Sequence, residues 1–519
     1  MNRTTLSLIA AATALAAVTG FAVVSAPDGP ADTAAAGAGR AADAKTPARM
    51  PVERSSLLCP APSTSDLAET TYTSITPADK GGAKGDADTE EGSAELVPTN
   101  ATLAARDGAE DKEKDTGKAG PGKPVLSLKE PGKPVTAEAN TAEAPALVGS
   151  ADGLLAPGWT AQQTTKITAG DGRGVLGVSC TAPDSSFWFP GASTADTRHD
   201  YVHLTNPDDT AAVADVELYG KDGALESDAG EGITVPARSS VPVLLSTLSA
   251  DSAENVTVHV TARSGRVGAV VQAVDEEAGS DWLAASADAS DTVVLPGIPA
   301  DATSVHLVVF APGDEDADLE VRLAGPTGSI TPAGHETLNV KAGMTTAVDL
   351  KDVTKGEAGS LLLGPAQGDP VPVVAALRVV RGEGAAQETA YIPATGQVGE
   401  RATAADNRAR GSVLSLTAPG ATAEVEVTAS AGSGGGEPVV KKYTVEAGTT
   451  LAVEPPVPSG LKGSYALTVE PRSGGPVHAS RALELPEDGV PMFTVQTMPD
   501  DRGTVPVPEA EQDLSVLDD

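Results

Sequence analysis

The sequence predicts an all-β protein: tandem immunoglobulin-like β-sandwich units behind an N-terminal signal or anchor helix. Three observations lead there. A strand-like run closing on a proline is written three times, at Tyr201–Pro207, Ser304–Gly313 and Ser412–Gly420. Each copy is followed by a second phrase (Val235–Val243, Val340–Val348, Val445–Val453) and a third (Arg266–Val274, Pro372–Val380, Pro476–Leu483). The period is about 105 residues, the size of one β-sandwich domain. The runs are short, alternate with period two, and are punctuated by N-P, D-G, P-G and G-G turns. Finally, the chain holds 55 Gly and 40 Pro but only five Phe, six Tyr and three Trp. Cores built from Ala, Val and Leu suit thin, β-rich units.

Taken in order, the chain begins with a targeting segment. Asn2 and Arg3 form a short basic region and Leu6–Val24 is apolar, a pattern that reads as a signal peptide or signal anchor over 1–26. A small-residue cleavage site at Val24–Ala26 is followed by the unfavourable Pro27. Residues 27–50 read as a disordered spacer, rich in Ala, Gly, Asp and Pro. A degenerate first sandwich spans 51–190, with disordered, charge-mixed insertions at about 80–93 and 105–122. Regular sandwiches follow at 191–297, 298–396 and 405–499, and 500–519 reads as an acidic tail. Unit ends are assigned to short apolar runs with proline: Phe187–Gly191, Val293–Gly297 and Ala390–Ala394, less cleanly Met492–Val495. Arg173–Cys180 is matched to the third phrase of the repeat.

A formal charge of −36 repels polyanions, so nucleic acid is excluded as a partner and membrane contact is limited to an uncleaved N-terminal segment. Export makes the two cysteines legible: Cys59 and Cys180 each end a strand-like run, and an oxidising compartment favours their pairing. Neither lies in a C-x-x-C, and no His separates them.

Candidate chemistry is sparse. His203 and His306 fall at the same place in two repeats, where the third carries Leu414; with the mid-strand His259 and His478 they read as structural residues on the solvent side or between units. No metal-ligand spacing surrounds them. Hydrolase signatures are lacking, and the twice-written P-G-K-P-V reads as a turn rather than a phosphate loop. Asp314, Glu315, Asp316, Asp318 and Glu320 crowd one hairpin, as Asp208 and Asp209 do one unit earlier. A calcium loop there wants a glycine at its sixth position and a bidentate Glu at its twelfth, and has neither, so a solvated turn is expected and neither metal nor cofactor. Among the scarce aromatics, an exposed Trp159, Trp188 or Trp282 would favour a sugar platform; burial, expected for Trp188 between Phe187 and Phe189, would make them core residues. Arg198, His199 and Asp200 follow F-W-F-P-G in a polar junction. With Trp188 they form the expected binding surface, placed between the first and second units.

The S-S-L-L-C-P start, the stretch G-V-S-C-T-A-P-D-S-S-F-W-F-P-G and the L-T-N-P strand resemble a family of secreted actinobacterial proteins catalogued as a domain of unknown function. That resemblance implies an exported envelope protein and carries over no catalytic residue. The expected function is a non-catalytic extracellular or cell-envelope scaffold or binding protein whose partner is an envelope protein or glycan. The alternatives are carbohydrate or peptidoglycan recognition, and an enzyme of unrecognised type.

Overall fold

The computed structural model describes residues 48–78, 92–102, 122–170, 172–227, 229–366 and 368–507. The signal or anchor segment, nearly all of the spacer, the bulk of both insertions and the end of the tail lie outside the described residues. The fold is all-β and built of many small sheets. Helix among the described residues is limited to single 3-10 turns at Gly153–Leu155, Leu245–Thr247 and Gly384–Ala386. None is long and apolar enough to cross a membrane.

Residues Arg49–Pro506 form one compact unit, in which the sheets come in facing pairs. In the last pair, one sheet has the order Ala402–Asn407, Tyr465–Gly474, Ala423–Ala429, Val439–Val445. Its companion runs Thr449–Val453, Ser412–Ala418, His478–Glu484, Phe493–Thr497. Alternation makes the two faces close on each other: Val425, Val427, Leu467 and Val469 from the first sheet meet Leu414, Leu416 and Ala479 from the second, all buried. Earlier in the chain the strands Ser186–Ala192 and Val293–Ile298 each head a sheet of the first kind. Arg54–Cys59 does so in the first pair, beside Leu147–Asp152 and Ala94–Pro98.

The pairings revise two readings of the sequence. Phe187–Gly191 and Val293–Gly297 were expected to close units, yet their strands hydrogen-bond to Val256–Ser264 and Gly359–Pro365, so they open the second and third sheet pairs. Ala390–Ala394 lies at the end of the third pair, in the strand Glu388–Pro393, and the apolar-proline signature therefore marks two different strands. Likewise Gly174–Ser179 does not occupy the place of the third phrase. That place, beside the central strand of its sheet, belongs to Thr160–Ile167, as it does to Gly268–Asp275, Val374–Arg381 and His478–Glu484.

Gly174–Ser179 is instead the terminal strand of its sheet, as are Gly279–Leu283, Glu388–Pro393 and Phe493–Thr497. These four strands pack on one another in a closed cycle: first on second, second on third, third on fourth, and fourth back on first. We call them the inner strands. Around them the leading strand of each later pair leans on the next sheet along, Ser186–Ala192 on Val374–Arg381, Val293–Ile298 on His478–Glu484, and Ala402–Asn407 on Thr160–Ile167. Leu58, in the leading strand of the first pair, reaches Gly268 in the same way. The contacts are apolar at three junctions: Leu176 and Val178 with Val270 and Trp282, Phe189 and its neighbours with Ala376 and Tyr391, and Phe493 and Val495 with the third core. At the fourth, between last and first pair, the apolar cluster is only Ile75, Ala405 and Ala466.

Two short segments fasten the ends. Ala101–Thr102 adds in parallel to Ser239–Leu244. Ala48–Pro51, at the boundary assigned to the spacer, pairs with Thr504–Val507, inside the segment read as a tail. Asp500 and Asp501 are held there because Asp500 accepts the Glu400 amide at 2.8 Å and the buried Asp501 pairs with Arg401 at 2.6 Å.

Candidate functional site

Polar residues concentrate where the inner strands meet. The edge of Gly174–Ser179 turns the amides of Val175 and Gly177 toward the centre of the cycle, and an open sheet edge there would leave them without acceptors. Carboxyl groups from the next two inner strands supply those acceptors. Glu388 Oε1 accepts from Val175 N at 3.2 Å, and Asp281 Oδ1 accepts from Gly177 N at 2.9 Å. Both carboxyls are fully buried. Thr494, on the fourth inner strand, stands 2.9 Å from Asp281 Oδ2 and 3.1 Å from Oδ1. Glycine is required at two points of this packing. A Cβ on Gly177 would lie 1.7 Å from Gln496 Nε2, and Gly174, at φ +155°, brings its backbone against Ser280 O and Glu388.

The electrostatics follow from burial. Arg173 is the nearest cation to Glu388, with Nε 3.7 Å from Oε2. Its terminal nitrogens are committed to the carbonyls of Ala385, at 2.9 Å, and Gln387. Burial therefore outweighs Arg173 and the Val175 amide and pushes Glu388 up to about 8. Asp281 is raised well above the ordinary range for the same reason, with Glu388 adding to the rise.

A second polar cluster spans the junction of the last and first pairs. Gln162 Oε1 accepts from the amide of Asp406 at 2.9 Å and from Arg481 Nη2 at 3.1 Å, while Thr164 donates to Asp406 at 2.9 Å. Arg481 is completely buried, and burial pulls it down to about 10.

The expected binding surface is revised by burial. Arg198 and Asp200 retain 4% and 1% of their exposure. They form a two-bond pair (3.1 and 2.8 Å), and Arg198 also donates to Tyr391 of the third sheet pair at 2.7 Å. Asp200 accepts the Ser193 amide at 2.8 Å, so the segment is a buried tie. Trp188 is half-buried, stacked on His259 at 3.7 Å and tilted against Phe310 at 5.2 Å. Both features join the second pair to the third, not the first to the second. Of the four residues only His199 is exposed, 3.1 Å from Glu276.

Cys59 and Cys180 are disulfide-bonded, closing a sequence separation of 121 residues within the first pair. Such a bridge is compatible with an extracellular protein. Trp159 and Trp282 are buried at 3% and 2% exposure, which removes them from any surface platform. His203 is buried edge-on to Trp282 at the first junction, with ring centroids 5.2 Å apart. His306 is only partly buried, as are His259 and His478. In the acidic hairpin, Asp316 accepts the Ala342 amide and Asp318 accepts from Asn339, at 2.9 and 2.8 Å. No group of three candidate metal ligands occurs among the described residues. A cleft of 240 Å³ lies between Pro157 of the first pair and Arg401 and Arg472 of the last. Sequence reasoning passed over Asp281, Glu388 and Arg481; the available signal was a charged residue just ahead of an apolar run, Trp282–Leu283, Ala390–Ile392 and Ala482–Leu483 respectively.

Comparison with curated proteins gives no match. Residues 135–456 match the family model described as "Family of unknown function (DUF5719)", more than half of the chain, and the protein belongs to that family.

Proposed function

We propose that this chain is a non-catalytic protein of the cell envelope or extracellular space. It is exported by its N-terminal segment, which acts as a signal peptide or as a signal anchor. Its sheet pairs are four immunoglobulin-like sandwiches closed into a ring that serves as a rigid scaffold or binding module. The observation that carries this reading is the use to which its ionisable side chains are put. Asp281 and Glu388 bond across the inner strands, Arg198 and Asp200 tie the second pair to the third, and Arg481 ties the last pair to the first. A catalytic group has to reach substrate in a cleft, and these groups reach one another. Support for export comes from the Cys59–Cys180 bridge and the apolar segment Leu6–Val24.

The partner in this reading is an envelope protein or glycan, met on the outer surface. His199, paired with Glu276 at 3.1 Å, is the exposed residue of the expected site. The experiment is affinity capture from cell-wall extracts by the exported chain, with His199→Ala/Glu276→Ala compared against a surface change in the last pair such as Lys441→Ala. Loss of capture in the first variant alone is expected. Equal loss in both, free thiols at Cys59 and Cys180 in exported material, or hydrolase turnover by the purified chain would overturn the reading.

A further inference from the structure

We propose that the meeting point of the inner strands is a proton-held latch. It is closed with Glu388 and Asp281 both carrying protons, and it releases the strand Gly174–Ser179 from the centre when Glu388 loses its proton. The geometry of the two carboxyls is the reason. Each spends one oxygen on a backbone amide of that strand, Oε1 on Val175 and Oδ1 on Gly177, at 3.2 and 2.9 Å. The other oxygen of each is where a proton fits. Asp281 Oδ2 lies 2.9 Å from Thr494 Oγ1, a hydroxyl that can accept from it. Glu388 Oε2 takes no hydrogen bond among the described residues, whereas an ionised oxygen in a dry site would need one.

The charged and titratable groups facing this point come one from each sheet pair: Arg173, Asp281, Glu388 and Arg481. Arg173 reaches Glu388 only at 3.7 Å, beyond hydrogen-bond range. Ionising Glu388 thus places a negative charge in a dry site, beside a second carboxyl and with its nearest cation, Arg173, out of hydrogen-bond range. The strand it holds belongs to the first pair, which meets the last pair across the least apolar junction, Ile75 with Ala405 and Ala466. Release at the centre therefore leaves the first pair held to the last by that small apolar cluster and by the bonds of Gln162 and Thr164.

The direction in pH is fixed by linkage. Glu388 titrates at 4.5 in the unfolded chain and is pushed up to about 8 in the fold. The closed state holds the proton more tightly than the open one. The latch's contribution is complete below 4.5 and is lost as pH rises through about 8.

The test is amide exchange at Val175 and Gly177 in the full chain, wild type and Glu388→Gln, from about pH 5 to 9. The ratio of the two local opening constants, wild type over variant, is expected to rise about tenfold per pH unit up to about pH 8 and then level off. A ratio that stays constant with pH would overturn the latch. Infrared difference spectra of the wild type decide the matter if the variant fails to fold. A protonated-carboxyl band present at about pH 6 and lost by about pH 9 is expected, and its absence at the lower pH overturns the proposal.

Discussion

Gly177→Ala is the sharpest probe of whether the inner strands pack as described. A Cβ there would stand 1.7 Å from Gln496 Nε2, 2.5 Å from Thr494 Cγ2 and 2.7 Å from Thr494 Oγ1. The amide of a Gln can swing aside, but Thr494 is fully buried and bonded to Asp281, so its methyl group has nowhere to move without pulling that bond. Overpacking of this kind costs about 1–3 kcal/mol. Straining the bond from Gly177 N to Asp281 adds about 1 kcal/mol, and the stiffer unfolded chain returns about 0.4–1 kcal/mol. The net expectation is a loss of about 2–3 kcal/mol in denaturant unfolding followed by a near-ultraviolet signal. The control is Gly420→Ala, where an added Cβ meets nothing within 4 Å and no left-handed backbone is needed. It should change stability by less than about 0.5 kcal/mol. Combining Gly177→Ala with Gln496→Ala should recover part of the loss, because the two side chains would compete for one space. If Gly177→Ala costs no more than the control, the four strands do not meet at this point and the closed cycle is wrong.

Three further outcomes follow from other parts of the fold. Burial pushes His203 down from 6.5 to about 4, with Gln272 pulling weakly the other way, so the fold keeps it neutral. Its contribution is intact above about pH 6.5 and is lost as pH falls toward 4. At about 1.4 kcal/mol per pH unit that is about 3 kcal/mol, and in a comparison of melting curves His203→Phe should flatten this acid limb. Replacing Cys59 and Cys180 together by alanine should cost about 4–5 kcal/mol in the chain-entropy account of a 121-residue separation, read as a shift in denaturation midpoint. Arg198→Ala leaves Asp200 buried without its cation and should cost about 3–5 kcal/mol, whereas the exposed His199→Ala should change stability by less than about 0.5 kcal/mol.

The strand pattern was legible wherever one face of a strand is apolar. The alternation in Ala423–Ala429, buried and open by turns, is the ordinary signature of a strand with one face in a core. Two strands escaped it. Ala68–Ile75 and Thr160–Ile167 are written in Thr, Gln and Tyr, yet Thr160–Ile167 is buried at six of its eight positions, all but Thr160 and Lys166. Gln162 and Thr164 are hidden because the last sheet pair lies against them, where they meet Asp406, while Thr70 and Thr165 bond to each other across neighbouring strands of their own sheet. A strand that serves a junction can carry hydroxyls and amides that find partners across it, as Gln162 and Thr164 do.

That same exchange explains why the candidate site was invisible in the sequence while the disulfide was not. Cys59 and Cys180 needed only a compartment and a count. The polar centre needs three long-range facts at once: that Gly174–Ser179, Gly279–Leu283, Glu388–Pro393 and Phe493–Thr497 are equivalent edges, that the edges converge, and that the first lends its amides to carboxyls of the next two. Each edge carries a local trace of this. Asp281, Glu388, Thr494 and Gln496 are polar residues in strands buried at nearly every position, and Gly174 and Gly177 thin the strand that faces them. Read one strand at a time, such residues look like defects in a β pattern. Read across four edges about 105 residues apart, they become complementary: amide donors and missing side chains on one, carboxyls on the next two, a hydroxyl on the last. The Arg198–Asp200 pair follows the same logic with the opposite outcome for inference, since a charged loop suggests a surface until Tyr391, from the next sheet pair, covers it. In a chain whose sheet pairs close on themselves, the residues that look most available for chemistry are those most needed to join one pair to the next.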